Sequence, residues 1–141
     1  MKTLLTILLF LAIGVADVVS QEKETIDLTI EVIVTKYNQG HILLALYNNE
    51  NQFMKNSYKA SKKKIEDGKI TITFTGIKKG DYAFSLFHDK NNNDKLDTNF
   101  LGIPKEPYLF SNNQKGRFGP PKFSDAKLEI NKSQTITLKI K

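Results

Sequence analysis

From Ile26 to Val34 every second residue is apolar: Ile26, Leu28, Ile30, Val32 and Val34 alternate with Asp27, Thr29 and Glu31. A period of two marks a strand with one face in a core and the other in water. The alternation returns at Ile70, Ile72 and Phe74 against Thr71, Thr73 and Thr75, the clearest amphipathic strand of the chain. His41 to Tyr47 is apolar on both faces, as a central strand would be, and Asp81 to His88 sets Tyr82, Phe84 and Leu86 against Ala83, Ser85 and Phe87. Ala126 to Ile130 and Thr135 to Ile140 read as closing strands around a polar turn at Asn131-Lys132-Ser133. Tyr37-Asn38-Gln39-Gly40 and Lys79-Gly80 are turns, with glycine free to take positive φ. Helical periodicity is absent apart from a short turn near Glu50 to Lys55. About seven strands joined by short turns predict an all-β fold, an antiparallel β-sandwich.

One region breaks this rhythm. Asp89 to Asp125 shows no strand pattern and holds all four prolines, Pro104, Pro107, Pro120 and Pro121. A loop of that length in a compact domain is functional or disordered. Its aromatics, Phe100, Tyr108, Phe110, Phe118 and Phe123, argue for order, since disordered tracts are poor in them.

The loop opens with oxygen-bearing side chains at alternate positions: Asp89, Asn91, Asn93 and Asp97, with the Lys95 carbonyl between the last two. A calcium loop needs that spacing, because alternate residues of a tight loop turn inward around one hard cation. Leu96 is the apolar residue such loops tuck into the protein body, while Asp94 stands where glycine normally permits the sharp turn and Phe100 where an EF-hand carries its bidentate glutamate. Asp tolerates left-handed φ better than most residues, and Glu106 is placed to supply a further carboxylate. The expected cofactor is therefore calcium at the weak extracellular end, on the order of 0.1 to 1 mM. The other reading is an Asn/Asp-rich turn held by side-chain-to-backbone bonds.

The N-terminus reads as a targeting segment. Lys2 and the apolar run Leu4 to Val15 make residues 1–20 a signal peptide, with cleavage after Ala16 or Ser20. Residues 21–141 then form a single domain of a periplasmic or secreted protein, long enough for a genuine core. The compartment permits disulfides, yet the chain has no cysteine, which rules out thiol chemistry and a cysteine-linked lipid anchor. The formal charge is +6, and all but one of the 21 basic residues are lysine, with one run at Lys62-Lys63-Lys64. A nucleic-acid reader clusters arginine with aromatics, so no nucleic-acid partner is expected. Scattered lysines read as a solvated surface, or as weak attraction to an acidic polymer or anionic lipid.

Catalytic candidates are sparse. His88 adjoins Asp89, but neighbouring strand residues point to opposite faces. His41 opens a strand, no zinc-ligand cluster is visible, and Ser111 and Ser124 lack a nucleophile-elbow context. No catalytic residue is assigned. Asn112, Asn113, Arg117 and Phe118 form the candidate ligand-binding set, since amides, a guanidinium and an aromatic suit sugars, peptides or carboxylates. The plainer alternative is that the asparagines only satisfy loop backbone groups.

The run Phe87-His88-Asp89-Lys90-Asn91-Asn92-Asn93-Asp94-Lys95-Leu96-Asp97-Thr98-Asn99 is followed by Gly102-Ile103-Pro104-Lys105-Glu106 and Phe110-Ser111-Asn112-Asn113. Together they resemble the signature of a bacterial family known as domain of unknown function 2141, small exported proteins without an assigned activity. Gly119-Pro120-Pro121-Lys122-Phe123-Ser124-Asp125-Ala126 is similar to that pattern too. Asp94 and Leu109 depart from it, each standing where the family tends to have glycine. More distantly, Gly80-Asp81-Tyr82 resembles the turn of transthyretin-like and collagen-adhesin B-type sandwiches. That likeness implies a prealbumin-like topology and often a structural or adhesive role, beside the immunoglobulin-like sandwich that the strand pattern predicts.

These readings converge on an exported, non-enzymatic binding or structural module with a calcium-stabilised loop. Its expected partner is an unknown small molecule, glycan or envelope protein, and no transmembrane segment is expected in the mature chain. Two alternatives stand beside it. One is a small metal-dependent hydrolase or lyase using His88 and the Asp-rich loop, the other a structural subunit of an envelope complex.

Overall fold

A computed structural model of the protein describes residues 24–114, 116 and 118–141; the expected signal peptide, residues 1–20, and Arg117 lie outside them. Among the described residues eight strands form two sheets. They are β1 (Thr25–Val34), β2 (His41–Tyr47), β3 (Lys59–Lys64), β4 (Lys69–Lys78), β5 (Gly80–Asp89), β6 (Tyr108–Phe110), β7 (Leu128–Ile130) and β8 (Gln134–Ile140). The smaller sheet has the order β4-β1-β8 and the larger β3-β2-β5-β6, with β7 pairing β5 beyond β6. The fold is an all-β sandwich.

The alternating residues do what their period requires. Leu28, Ile30 and Val32 of β1 and Ile42 and Leu46 of β2 are wholly buried, and Phe84 of β5 is 1 % exposed. Together with Ile70, Ile72, Phe74, Tyr82 and Leu86 they fill the space between the sheets. Each such side chain removed from water stabilises the fold by about 1.5–3 kcal/mol. Burial of Tyr82, with Tyr58 beside it, raises its phenol pKa, and its hydroxyl donates to the Lys78 carbonyl at 2.7 Å.

Four features depart from the sequence expectation. The pairing is not wholly antiparallel: β8 runs parallel to β1, Leu28 beside Gln134 through Val34 beside Ile140. β3 carries no apolar alternation, and it is a strand because it pairs with the edge of β2, its lysines guarding the open side. β6 is only three residues long, too short for a period to show, and it lies inside the stretch expected to hold no strand. Ala126, expected in a strand, instead ends the single helical turn α1 (Phe123–Ala126). No helix among the described residues is long and apolar enough to cross a membrane.

A second, smaller core sits on the far face of the larger sheet. Tyr47 and Ala83 point away from the main core there, and Phe53, Phe110, Phe123 and Ala126 cover them. Phe53 is the hub, with its ring centroid 5.1 Å from Tyr47 and 5.6 Å from Phe123. This cluster anchors the middle and end of the long loop onto the sheet.

Candidate functional site

The loop leaves the sandwich at His88 and Asp89, both wholly buried at the end of β5. His88 lies on the core side, as Leu86 and Phe84 do, and Asp89 on the other. The His88 Nε2 donates to the Gln39 carbonyl at 2.6 Å, and its ring lies 6.1 Å from that of Tyr37. Gly40 makes the approach possible: at φ +88° it packs so closely that a Cβ there would stand 2.3 Å from the Asp89 carbonyl oxygen. His88 therefore braces the β1–β2 turn and does not face the Asp-rich loop. The histidine that touches the loop is His41, whose Nδ1 donates to Asn92 Oδ1.

Asp89 organises the turn. Its Oδ1 accepts from the Asn93 amide at 3.2 Å and its Oδ2 from the Asp94 amide at 2.9 Å. Winding the chain tightly enough puts Asn92 at φ 60° and Asp94 at φ 62°, a region Asn and Asp tolerate. The Asn91 Oδ1 accepts from the Asn93 amide at 3.3 Å, and the Asn93 Oδ1 from the Lys95 amide at 2.9 Å. The side-chain amides of Asn91 and Asn93 then donate to the two oxygens of Asp97 at 2.7 and 2.9 Å. Asp89, Asn91, Asn93, Lys95 and Asp97 are thus brought into one hydrogen-bonded turn. No group of three or more His, Asp or Glu side chains placed to hold a metal occurs among the described residues.

Glu106 closes the base of the turn. It is 6 % exposed, and its two oxygens accept from the Lys90 amide at 2.8 Å and the Asp97 amide at 3.1 Å. One carboxylate therefore clamps the first and last parts of the Asp-rich segment. Charge-assisted bonds of this kind are about twice as strong as neutral ones. Asp94 turns outward and pairs with Lys62 of β3.

Farther on, Ser111 is wholly buried and pins the loop to the sheet. Its hydroxyl accepts from the Phe84 amide at 3.0 Å and donates to the Ala126 carbonyl at 2.5 Å. Asn112, at φ 59°, donates from its side chain to the Lys127 carbonyl at 2.8 Å. Lys127 in turn donates to Asp81 Oδ2 at 2.7 Å, a bond that raises the lysine's pKa. Asn113 is exposed, at φ 53°. Of the four candidate ligand contacts, Asn112 is bound up in the loop's own bracing, and Phe118 stands apart from it with its side chain in solvent.

Phe118 belongs to a groove of about 710 Å³ that the loop forms with the segment after β2. Its walls include Met54, Leu96, Leu101, Ile103, Tyr108 and Phe118, and among the described residues no charged side chain lines it. Seven large apolar residues of the described chain are exposed, and five of them, Met54, Leu101, Ile103, Tyr108 and Phe118, line this groove; Phe100 and Tyr58 are the other two. Met54, Leu101, Ile103 and Tyr108 were not among the residues expected from sequence. Their signal was there as apolar side chains in a Pro- and Gly-rich stretch, but without a period nothing assigns them to core or surface.

A family model described as an uncharacterized protein conserved in bacteria (DUF2141) matches residues 30–137. The matched span includes the whole Asp-rich turn, the clamp at Glu106 and every loop residue of the groove. No curated protein and no solved structure shows a significant match to the chain.

Proposed function

The chain belongs to this family of uncharacterized bacterial proteins, and from that premise we propose that it is an exported, non-enzymatic module that binds through its long loop. The observation that carries the reading is the groove, where most of the exposed large apolar side chains of the described residues gather around one cleft. Exposed apolar residues are ordinary when scattered, whereas a contiguous set marks an interaction site. The charged N-region and apolar run of residues 1–20 support export to the periplasm or the exterior.

Calcium is the proposed stabiliser of the loop. Asp89 and Asp97 offer carboxylates, Asn91 and Asn93 amide oxygens, and Lys95 a carbonyl, an oxygen-only set that fits a hard cation. The two asparagine amides turn their nitrogens to Asp97, and rotating them presents oxygens instead. Support for the hydrolase or lyase alternative is weaker, because wholly buried His88 faces the core and not the Asp-rich turn.

The test is titration with the amphiphilic dye 1-anilinonaphthalene-8-sulfonate. Saturable binding to the native protein, lost in Ile103→Asp at an unchanged melting temperature, is the expected result. A folded protein that leaves the dye unbound removes the basis for the loop as a binding face.

A further inference from the structure

The loop treats its two signs of charge unequally. Every carboxylate of the Asp-rich turn and its clamp is engaged: Asp89 and Glu106 on backbone amides, Asp97 on two side-chain amides, Asp94 on Lys62. The lysines beside the groove are not. Lys55 follows Met54, Lys95 precedes Leu96, Lys105 follows Pro104, and Lys122 stands two residues past Pro120. All four are exposed, and among the described residues their ammonium groups make no ion pair or hydrogen bond. An apolar cleft is thus bordered in sequence by unpaired cations, while the carboxylates of the neighbouring turn are each paired.

The apolar side chains are also too open to enclose a small molecule. Phe118 is 103 % exposed, and Leu101 and Ile103 are 67 % and 55 % exposed. Walls this bare would leave most of a lone ligand in water, whereas small-ligand sites bury about 70–90 % of it. A surface that receives the side chains themselves matches the exposure better. Lysine next to exposed aromatic and aliphatic residues is the composition that settles at a bilayer interface, with the apolar groups reaching about 5–10 Å into the headgroup boundary.

We propose that the long loop docks the module on an anionic lipid bilayer. Leu101, Ile103 and Phe118 enter the headgroup region, and Lys55, Lys95 and Lys105 meet lipid phosphates. This rests on the loop being the binding face, and it names the partner of that face.

Co-sedimentation with vesicles tests it. The full mature protein is mixed with phosphatidylcholine vesicles, with and without about 30 % phosphatidylglycerol. It should pellet with the anionic vesicles, stay in solution with the neutral ones, and be released as salt rises from about 0.1 to about 1 M and the Debye length falls to ~3 Å. Each of Lys55→Gln, Lys95→Gln and Lys105→Gln should weaken partitioning about fivefold. The double variant Ile103→Ser with Phe118→Ser should weaken it at least about tenfold, both side chains being exposed enough to leave the melting temperature unchanged. Absence of pelleting by anionic vesicles, with the dye still bound in the groove, overturns the bilayer and leaves the binding face standing. Loss of both overturns both. Equal pelleting by neutral vesicles, or full pelleting of the double variant, also overturns the proposal, since the charge or the loop would then be irrelevant.

Discussion

The sandwich and the long loop follow opposite rules of burial. Between the sheets apolar residues are inside, and the outward positions of β1 and β4 are mostly threonine, aspartate, glutamate and lysine. Over much of the loop, outside the second core at Phe110 and Phe123, the order inverts. Asp89, Glu106 and Ser111 are buried, while Phe100, Leu101, Ile103 and Phe118 stand in solvent. The two regions are ordered by different forces. The sandwich is held by area removed from water. The turn at the loop's start is held by carboxylates and amides that satisfy its own backbone, and Phe100, Leu101, Ile103 and Phe118 beyond it are exposed.

The largest test of that contrast lies in the sandwich. Phe84→Ala removes an aromatic ring from a close-packed site and should lower stability by about 3–5 kcal/mol in a denaturant titration. A loss under about 1 kcal/mol would mean that the core does not carry the fold. The next acts on the loop through calcium. At a dissociation constant of about 0.1 mM, 10 mM calcium is a hundredfold excess and adds about 2.7 kcal/mol. That corresponds to a rise in melting temperature of roughly ten degrees. Asp89→Ala should abolish the rise, and magnesium should produce little of it, since it keeps its waters. Melting within a degree with and without calcium would leave the turn held by its own hydrogen bonds alone.

Ser111→Ala probes the seam between the regions. It strands the Phe84 amide and the Ala126 carbonyl in a buried place and should cost about 1–3 kcal/mol by chemical denaturation. A neutral result would show that the loop is not fastened there. The smallest effect is the most telling for the inversion. Phe118→Ser and Ile103→Ser should each change stability by no more than about 0.5 kcal/mol, as surface substitutions do. A large loss at either would place that side chain in a core and end the contrast.

What the sequence discloses divides along the same line. Where burial is the force, alternation reports it, so β1, β2, β4 and β5 are legible to within a few residues of their ends. β3 and β6 are not, because one is defined by its partner's edge and the other by three residues of pairing. The parallel placement of β8 is a tertiary choice that no local period encodes. In the loop, the alternation of oxygens from Asp89 to Asp97 marks a turn that the structure does close. Asn112 has the same letter as a ligand contact, but its partner, the Lys127 carbonyl, becomes visible only once α1 is placed. The groove stayed hidden for a different reason: an apolar residue in an aperiodic segment carries no sign of which way it faces.

The parallel pairing of β1 with β8 has a consequence in time. β1 is the middle strand of its sheet, and one of its flanks is covered only by residues 134–140. The Asp27 amide, for instance, finds its acceptor in Ser133, 106 positions along the chain. Contacts so distant in sequence make folding slow, and here they also make it late. A ribosome must release nearly the whole chain before the smaller sheet can close. Until then one edge of β1 stays open, and Ile30, Val32 and Val34 lack the neighbours Ile136, Leu138 and Ile140 that complete their layer of the core.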